Sequence, residues 1–345
     1  METAAPTGYW HLREDGRVQC DLCPRHCALR EGQRGPCFGR ACRGDAIVLT
    51  TYGRSSGFAV DPIEKKPLFH FCPGSRVLSF GTAGCNLACR FCQNWDISSA
   101  VEDEVLGATA SPPEIAAEAV SLGCPSVAFT YNDPVAFYEY AVDTARACRE
   151  RGVATVAVTA GYVDPEPRAE FYELMDAANI DLKAFDDGFY RRWCGGRLAP
   201  VLETLEYVAH HAATWLEVTT LLIPGLNDSP AEVSALSEWV AGHLGPDTPM
   251  HFTAFRPAFR MTDRPSTPPA TLAGARRLAR EAGLRFVYTG NVRDPEGQST
   301  RCPGCGTLLV GRDGYRITAW GLATEGRCGG CGRACPGRFG SEPPR

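Results

Sequence analysis

No stretch of this 345-residue sequence is apolar for long enough to cross a membrane. The longest runs, such as VATVAVTA at 153–160, fall far short of the ~20 residues a spanning helix needs. The amino-terminal METAAPTGYWHLRED lacks both the basic start and the apolar stretch of a secretory signal, so a cytoplasmic location is expected. Low-complexity tracts and short repeats of fixed period are missing as well. Net charge is only −5, and residues 46–300 carry 21 bases against 31 acids, which argues against a polyanion-binding chain. Only residues 301–345, with seven Arg and three acids, leave weak room for nucleic acid.

What the sequence has in quantity is cysteine, seventeen in all. With no secretory signal and several tight C-x-x-C spacings, metal binding is the better reading than disulfides. Residues 20–42 hold five cysteines and residues 302–335 another five. At 44% hydrophobic residues, the long segment between them can bury a substantial core.

That segment alternates short β-branched or aromatic runs with amphipathic stretches. Strands are predicted at 76–82, 126–132, 154–160, 179–185, 214–223, 250–255 and 285–291. Helices are predicted at PPEIAAEAVSLG, AFYEYAVDTARACRERG, APVLETLEYVAHHA, SPAEVSALSEWVAGHLG and TLAGARRLAREAG. Such alternation argues for an α/β fold of parallel strands with helical crossovers, either an open sheet or a barrel. In both, polar residues after the strands collect at one rim, where ligands bind.

The loop after the first of these strands reads GCNLACRFC. Cys85, Cys89 and Cys92 stand at C-x3-C-x2-C spacing with no fourth cysteine nearby, Cys72 and Cys124 being distant in sequence. Structural zinc sites and cubane iron–sulfur clusters normally take four ligands. Three thiolates would leave one iron open to a cofactor, and a zinc knuckle completed by a remote residue is the alternative. Asp181 and Lys183, in IDLKAF, alternate along one predicted strand and read as a strand-end ion pair or a cofactor contact. His251, Arg256 and Arg260 are expected at the same rim.

The loop, with Phe91 before its last cysteine, resembles the radical S-adenosylmethionine (SAM) enzymes. The text KKPLFHFCPGSRVLSFGTAGCNLACRFCQNWDIS, with TYNDPVAFYEY, VTAGY, IDLKAFD, TTLLIPGLNDS, HFTAFRPAFRMTDRP and YTGNVRDPEGQSTRCPGCG, is similar to the radical SAM member of the AmmeMemoRadiSam system. That group is related to the glycyl-radical-enzyme activases, including the pyruvate formate-lyase activating enzymes. The resemblance implies an incomplete (β/α) barrel. It implies a 4Fe-4S cluster on Cys85, Cys89 and Cys92, whose open iron chelates SAM. Reductive cleavage would then give methionine and a 5′-deoxyadenosyl radical that takes hydrogen from a substrate or, in an activase, from a partner's glycine. Asp181 and Lys183 are placed with the cysteines among the catalytic residues because of their strand-end position. Phe91, Tyr131, Asn132, Asp133, Thr159, Gly161, Ile223 and Pro224 would contact the cofactor, with Asp133 facing the SAM amino group. Val158 and Ala160 replace polar residues that activases carry there. Implied partners are a flavodoxin or ferredoxin reductant and Memo-like and AMMECR-like proteins.

The chain divides into a Cys-rich lead-in (1–70), the radical SAM segment (71–297) and a zinc-ribbon-like module (298–345). In the last, Cys302, Cys305, Cys328 and Cys331 form two C-x2-C knuckles, read as structural zinc, with rubredoxin-like iron the alternative and Cys335 spare. Cys20, Cys23, Cys27 and Cys37 could close zinc or an electron-relay cluster, with Cys42 as a substitute ligand. Zinc is preferred there, because activases place extra cluster cysteines after the SAM motif and not before it.

Overall fold

A computed structural model describes residues 4–100 and 105–339. All seven predicted strands form, as Arg76–Gly81, Ser126–Phe129, Ala154–Thr159, Ala177–Asp181, Trp215–Leu222, Met250–Ala254 and Val287–Gly290. They pair in parallel, each beside the next in sequence. Most of their residues are buried on both faces, which is why they read as continuous runs of Val, Ile, Ala, Thr and Phe without polar alternation. The expected barrel does not close in this pairing. One edge is Val287–Gly290, and the other is Gly57–Pro62, which joins antiparallel to Arg76–Gly81.

Each crossover carries a helix: Pro112–Ser121, Tyr138–Glu150, Pro165–Glu173, Ala199–His211, Pro230–Trp239 and Pro269–Glu281. Five of these helices have Pro in the first turn, where no N–H is missed, and the exception is Tyr138–Glu150. The Glu114 carboxylate reaches back to the Ser111 amide (2.7 Å), and Ser229 Oγ accepts from the Glu232 amide (3.2 Å). Pro165–Glu173 was not predicted: PEPRAEFYE carries two prolines and a weak apolar stripe.

The amino-terminal segment forms two small sheets, Trp10–Leu12/Val18–Cys20/Ala28–Leu29 and Ala5–Pro6/Ala46–Leu49/Arg40–Arg43. The carboxyl end forms another, Thr300–Arg301/Leu308–Asp313/Arg316–Trp320, plus the short pair Leu322–Ala323/Arg327–Cys328. It docks through buried polar groups. Arg312, 1% exposed, donates to the Phe69 carbonyl (2.7 Å) and Thr300 Oγ1 (2.9 Å), covers the Phe69 ring, and lies 3.6 Å from buried Glu64. Glu217 accepts from the Phe69 and His70 amides (3.0 and 2.7 Å) and from His251 Nε2 (2.7 Å). His251 is therefore not at the rim as expected. It is 2% exposed and serves as the partner that a buried carboxylate requires.

His70 bridges this base to the carboxyl-terminal module, with its ring between the Pro336 carbonyl and Tyr288 Oη, both at 2.6 Å. Burial pushes its pKa down to about 4 from 6.5, so the folded ring stays neutral. Its folded pKa is depressed, so unfolded chains bind the proton first as pH falls. The stabilisation is complete above pH 6.5 and lost as pH drops toward 4, on the order of 3 kcal/mol. Urea midpoints measured from pH 7 to 4 should fall more steeply for wild type than for His70→Gln. Parallel curves would show that His70 does not carry this dependence.

Candidate functional site

The loops that follow the parallel strands meet around a cavity of about 270 Å³. Its wall holds Cys85, Cys89, Phe91 and Cys92 from the loop after Arg76–Gly81, and residues 130–133 from the next loop. Val158, Thr159 and Ala160 line it, as do Asp181 and Lys183, Thr219 and Leu221, Thr253 and Asn291. Every parallel strand thus delivers at least one residue. Seven separate chain segments reach one site because the strand order is sequential.

The cysteine loop is held from several sides. The Ala88 and Arg90 amides donate to the Cys194 and Trp193 carbonyls (2.8 and 2.9 Å), and the Gly84 amide to the Ile97 carbonyl (3.0 Å). Cys92 Sγ lies 3.0 Å from Ser98 Oγ. Burial pushes the Cys85 and Cys92 thiols up, and the neighbouring Cys194 thiol and burial do the same for Cys89. Apposed to them is Lys183, whose Nζ donates to Asp181 Oδ2 at 2.7 Å. Burial disfavours its charge, but Asp181 and the Cys89 and Cys194 sulfurs outweigh burial and hold the ammonium protonated. The site therefore contains a fixed cation beside the Cys89 and Cys92 thiols. That arrangement compensates negative charge when the thiols ionise to bind metal.

TYNDP acts first as a knot. Asn132 Oδ1 accepts from the Thr82 amide (2.9 Å), and its Nδ2 donates to the Gly84 carbonyl (2.6 Å). Asp133 accepts from the Val135 amide (3.0 Å), the Ala160 amide (2.7 Å) and Thr159 Oγ1 (3.0 Å). Burial pushes its carboxyl up against these donors. Three donors use most of a carboxylate's acceptor capacity, so Asp133 is spent mainly on joining two strand ends. Tyr131, at φ +72°, accepts from Asn94 Nδ2 through its carbonyl (2.9 Å) and donates its hydroxyl to Asp61 (2.9 Å). Gly81 allows the close approach: a Cβ there would sit 2.4 Å from the Thr130 carbonyl oxygen.

Several expected contacts fall outside this cavity. Gly161, at φ +65°, backs onto Ile180 and Thr204. Ile223 is buried with its amide on Asn227 Oδ1 (2.7 Å), and the Pro224 carbonyl accepts from Arg264 (2.7 Å). Arg256 lines an adjoining groove with Tyr315 that shares Gln93 and Asn291 with the cavity, and Arg260 lies over its neighbour Phe259. Sequence reasoning missed Thr253 and Asn291 in the cavity wall, Cys194 beside Cys89, and the Asp61–Lys66 pair (2.7 Å) that holds the Tyr131 hydroxyl. None belongs to a local motif. Asn291 alone, in TGN at a strand end, carried a positional signal.

Two further cysteine sets are assembled. Cys302, Cys305, Cys328 and Cys331 have all four sulfurs within 4.8 Å of one another, with 3.6 Å between Cys302 and Cys331 and between Cys305 and Cys328. Thr307 pulls the exposed Cys305 thiol down to about 6 through its hydroxyl and amide. This is a four-sulfur site sized for a single metal ion. Cys335 stands apart, buried beside His70. Cys20, Cys23, Cys27 and Cys37 line a small enclosed cavity of their own.

With this geometry in place, similarity to known proteins becomes informative. Residues 80–236 match the Radical SAM superfamily model, and the chain contains a radical SAM domain, the mark of an enzyme. It belongs to one family with an uncharacterized protein from Methanocaldococcus jannaschii, 41% identical over 325 residues that cover 94% of this chain and 96% of that one. Escherichia coli K12 pyruvate formate-lyase 1-activating enzyme is 26% identical over 180 residues, 48% of this chain and 69% of that protein. Among solved structures, a radical SAM methyltransferase from Sphaerobacter thermophilus aligns over 88% of this chain and 81% of its own, with 15% identity and a TM-score of 0.47. A radical SAM domain implies a 4Fe-4S cluster and SAM. Three thiols, a fixed ammonium and a strand-end cavity fit that pair.

Asn132→Leu should release both the Thr82 amide and the Gly84 carbonyl, costing about 2–4 kcal/mol. The expected result is a lower urea midpoint together with reduced iron uptake on anaerobic reconstitution. Unchanged uptake and midpoint would show that the knot is not needed.

Proposed function

We propose that this protein reductively cleaves SAM in the cavity lined by Cys85, Cys89 and Cys92, and that the resulting radical chemistry acts on a substrate outside the chain. The observation that carries this reading is the three-thiol wall with no fourth cysteine and no histidine among the residues lining the cavity. A bound 4Fe-4S cluster with one open iron would supply the electron and the chelation site for the methionine moiety. The chain's own residues supply the rest. The thiolates of Cys85, Cys89 and Cys92 hold the cluster, and Lys183, fixed by Asp181, offsets their charge. Phe91, Leu87 and Val158 supply apolar wall that excludes water from the reacting atoms. Thr159 and Ala160 are held in place by Asp133, and Thr219, Thr253 and Asn291 supply polar groups across the cavity.

We read the open sheet as an incomplete (β/α) barrel, supported by its sequential order and by the convergence of its strand ends. Membership of the AmmeMemoRadiSam system is the finer reading, supported by the resemblance that runs from the lead-in cysteines to the CPGC knuckle. In it, flavodoxin or ferredoxin supplies electrons and Memo-like and AMMECR-like proteins are partners. Seventeen free cysteines support a reducing, cytoplasmic setting. Similarity to the E. coli activating enzyme keeps a second reading, installation of a glycyl radical on a partner protein. The carboxyl-terminal four-cysteine site is assigned to structural zinc.

Anaerobically reconstituted protein given SAM and dithionite should form 5′-deoxyadenosine. Cys89→Ala should abolish the product, and Lys183→Met should lower it at least about tenfold, the loss of one fixed charge at a dry site. Clustered protein that leaves SAM intact, even with the candidate partners present, would remove the enzyme reading.

A further inference from the structure

The amino-terminal cysteines occupy a site of a different size from the carboxyl-terminal one. Cys20, Cys23, Cys27 and Cys37 share one enclosed cavity, walled also by apolar Leu22, Leu29 and Val135 and by Arg25, Arg40 and Asn86. Yet among the described residues only the carboxyl-terminal quartet has its sulfurs all within 4.8 Å of one another. The amino-terminal thiols thus surround a common space without the tight spacing of a single-ion site. Cys85, Cys89 and Cys92, which the radical SAM domain implies for a cluster, likewise fall outside that 4.8 Å limit as a group. A single zinc ion with Zn–S bonds of ~2.3 Å draws its four sulfurs to within about 4 Å of each other, whereas a cubane keeps its thiolates on separate irons.

A second observation points into the same cavity. Arg40 lines it, is 2% exposed, and uses only Nη2, donating to Glu139 at 2.7 Å. Its Nε and Nη1 have no hydrogen-bond partner. Buried guanidinium donors are rarely left unpaired. A thiolate-ligated anionic group in the cavity would receive them.

We infer that Cys20, Cys23, Cys27 and Cys37 bind a second 4Fe-4S cluster, charge-balanced by Arg40. Its position is as informative as its ligands. Asn86 lines this cavity while its chain neighbour Cys85 lines the other, so the two sites lie back to back across one loop. Gly84 makes the contact possible. At φ +83°, a Cβ there would lie 2.0 Å from the Cys37 carbonyl oxygen. This places the second cluster beside the SAM site, a point that rests on the function proposed above.

The test uses full-length protein reconstituted anaerobically, with iron, acid-labile sulfide and zinc counted per chain. Wild type should hold about eight sulfides, four per cluster. A Cys85→Ala/Cys89→Ala/Cys92→Ala variant should keep about four, and Cys23→Ser/Cys27→Ser should keep the other four. Sulfide decides the matter, because a rubredoxin-like iron at the carboxyl end adds iron without it. The triple variant leaves the amino-terminal segment intact, so it carries the result even if Cys23→Ser/Cys27→Ser misfolds. A triple variant with no sulfide and a second zinc would overturn the inference while leaving the proposal of SAM cleavage by wild type standing. One that keeps four sulfides, beside a wild type that fails to cleave SAM, would uphold the cluster and sink the proposed function. In fully reduced wild type, magnetic coupling should broaden the electron paramagnetic resonance signals relative to the sum of the two variants. A simple sum would refute the back-to-back placement.

Discussion

The site depends on one constraint: loops that leave neighbouring parallel strands have no ladder to hold them, so side chains must supply their hydrogen bonds. Asn132 and Asp133 do this in opposite directions. One reaches back to Thr82 and Gly84 before the first cysteine, the other forward to Thr159 and Ala160. Both are nearly fully buried, where unpaired polar atoms are costly and paired ones specify geometry. The three-cysteine loop is positioned because its root is tied here. An acid that sequence comparison would assign to a ligand is first of all a structural clamp.

Beneath the cavity, the interior is polar where a purely apolar filling would be simpler. Glu217 gathers two backbone amides and His251, and His70, Tyr288, Thr300 and Arg312 continue the network into the carboxyl-terminal module. A buried charge is tolerable only with a full set of partners. The module therefore completes the base of the sheet as well as carrying its own cysteines. Phe69 and His70, from the lead-in, and residues 298–339 meet inside the central unit, so the segments flanking the sheet are structurally continuous with it.

Cysteine behaves differently in the three places where it clusters. At the carboxyl end the sulfurs converge on a point, two of the four are exposed, and local amides and hydroxyls lower at least one thiol. At the strand ends the thiols are spread along a cavity wall opposite Lys183. In the lead-in they ring a closed apolar space beside a partly unpaired arginine. Spacing in three dimensions separates these roles, although all three motifs contain C-x2-C.

Periodicity was enough to place all seven parallel strands and five of the six crossover helices, because burial on both faces and amphipathic stripes write themselves into local composition. The C-x3-C-x2-C loop and its position after a strand were equally local, as was the Asp181–Lys183 pair. What stayed hidden depended on residues far apart in the chain. Asp61 beneath Tyr131, Cys194 beside Cys89 and Glu217 claiming His251 are each long-range partnerships, and no spacing rule encodes them. The Gly57–Pro62 edge strand was hidden for the same reason, since an edge is defined by what it pairs with. Residue type and order set which elements form and which chemistry is present. Packing set which polar groups remain free to perform it, because every buried donor or acceptor must first be satisfied.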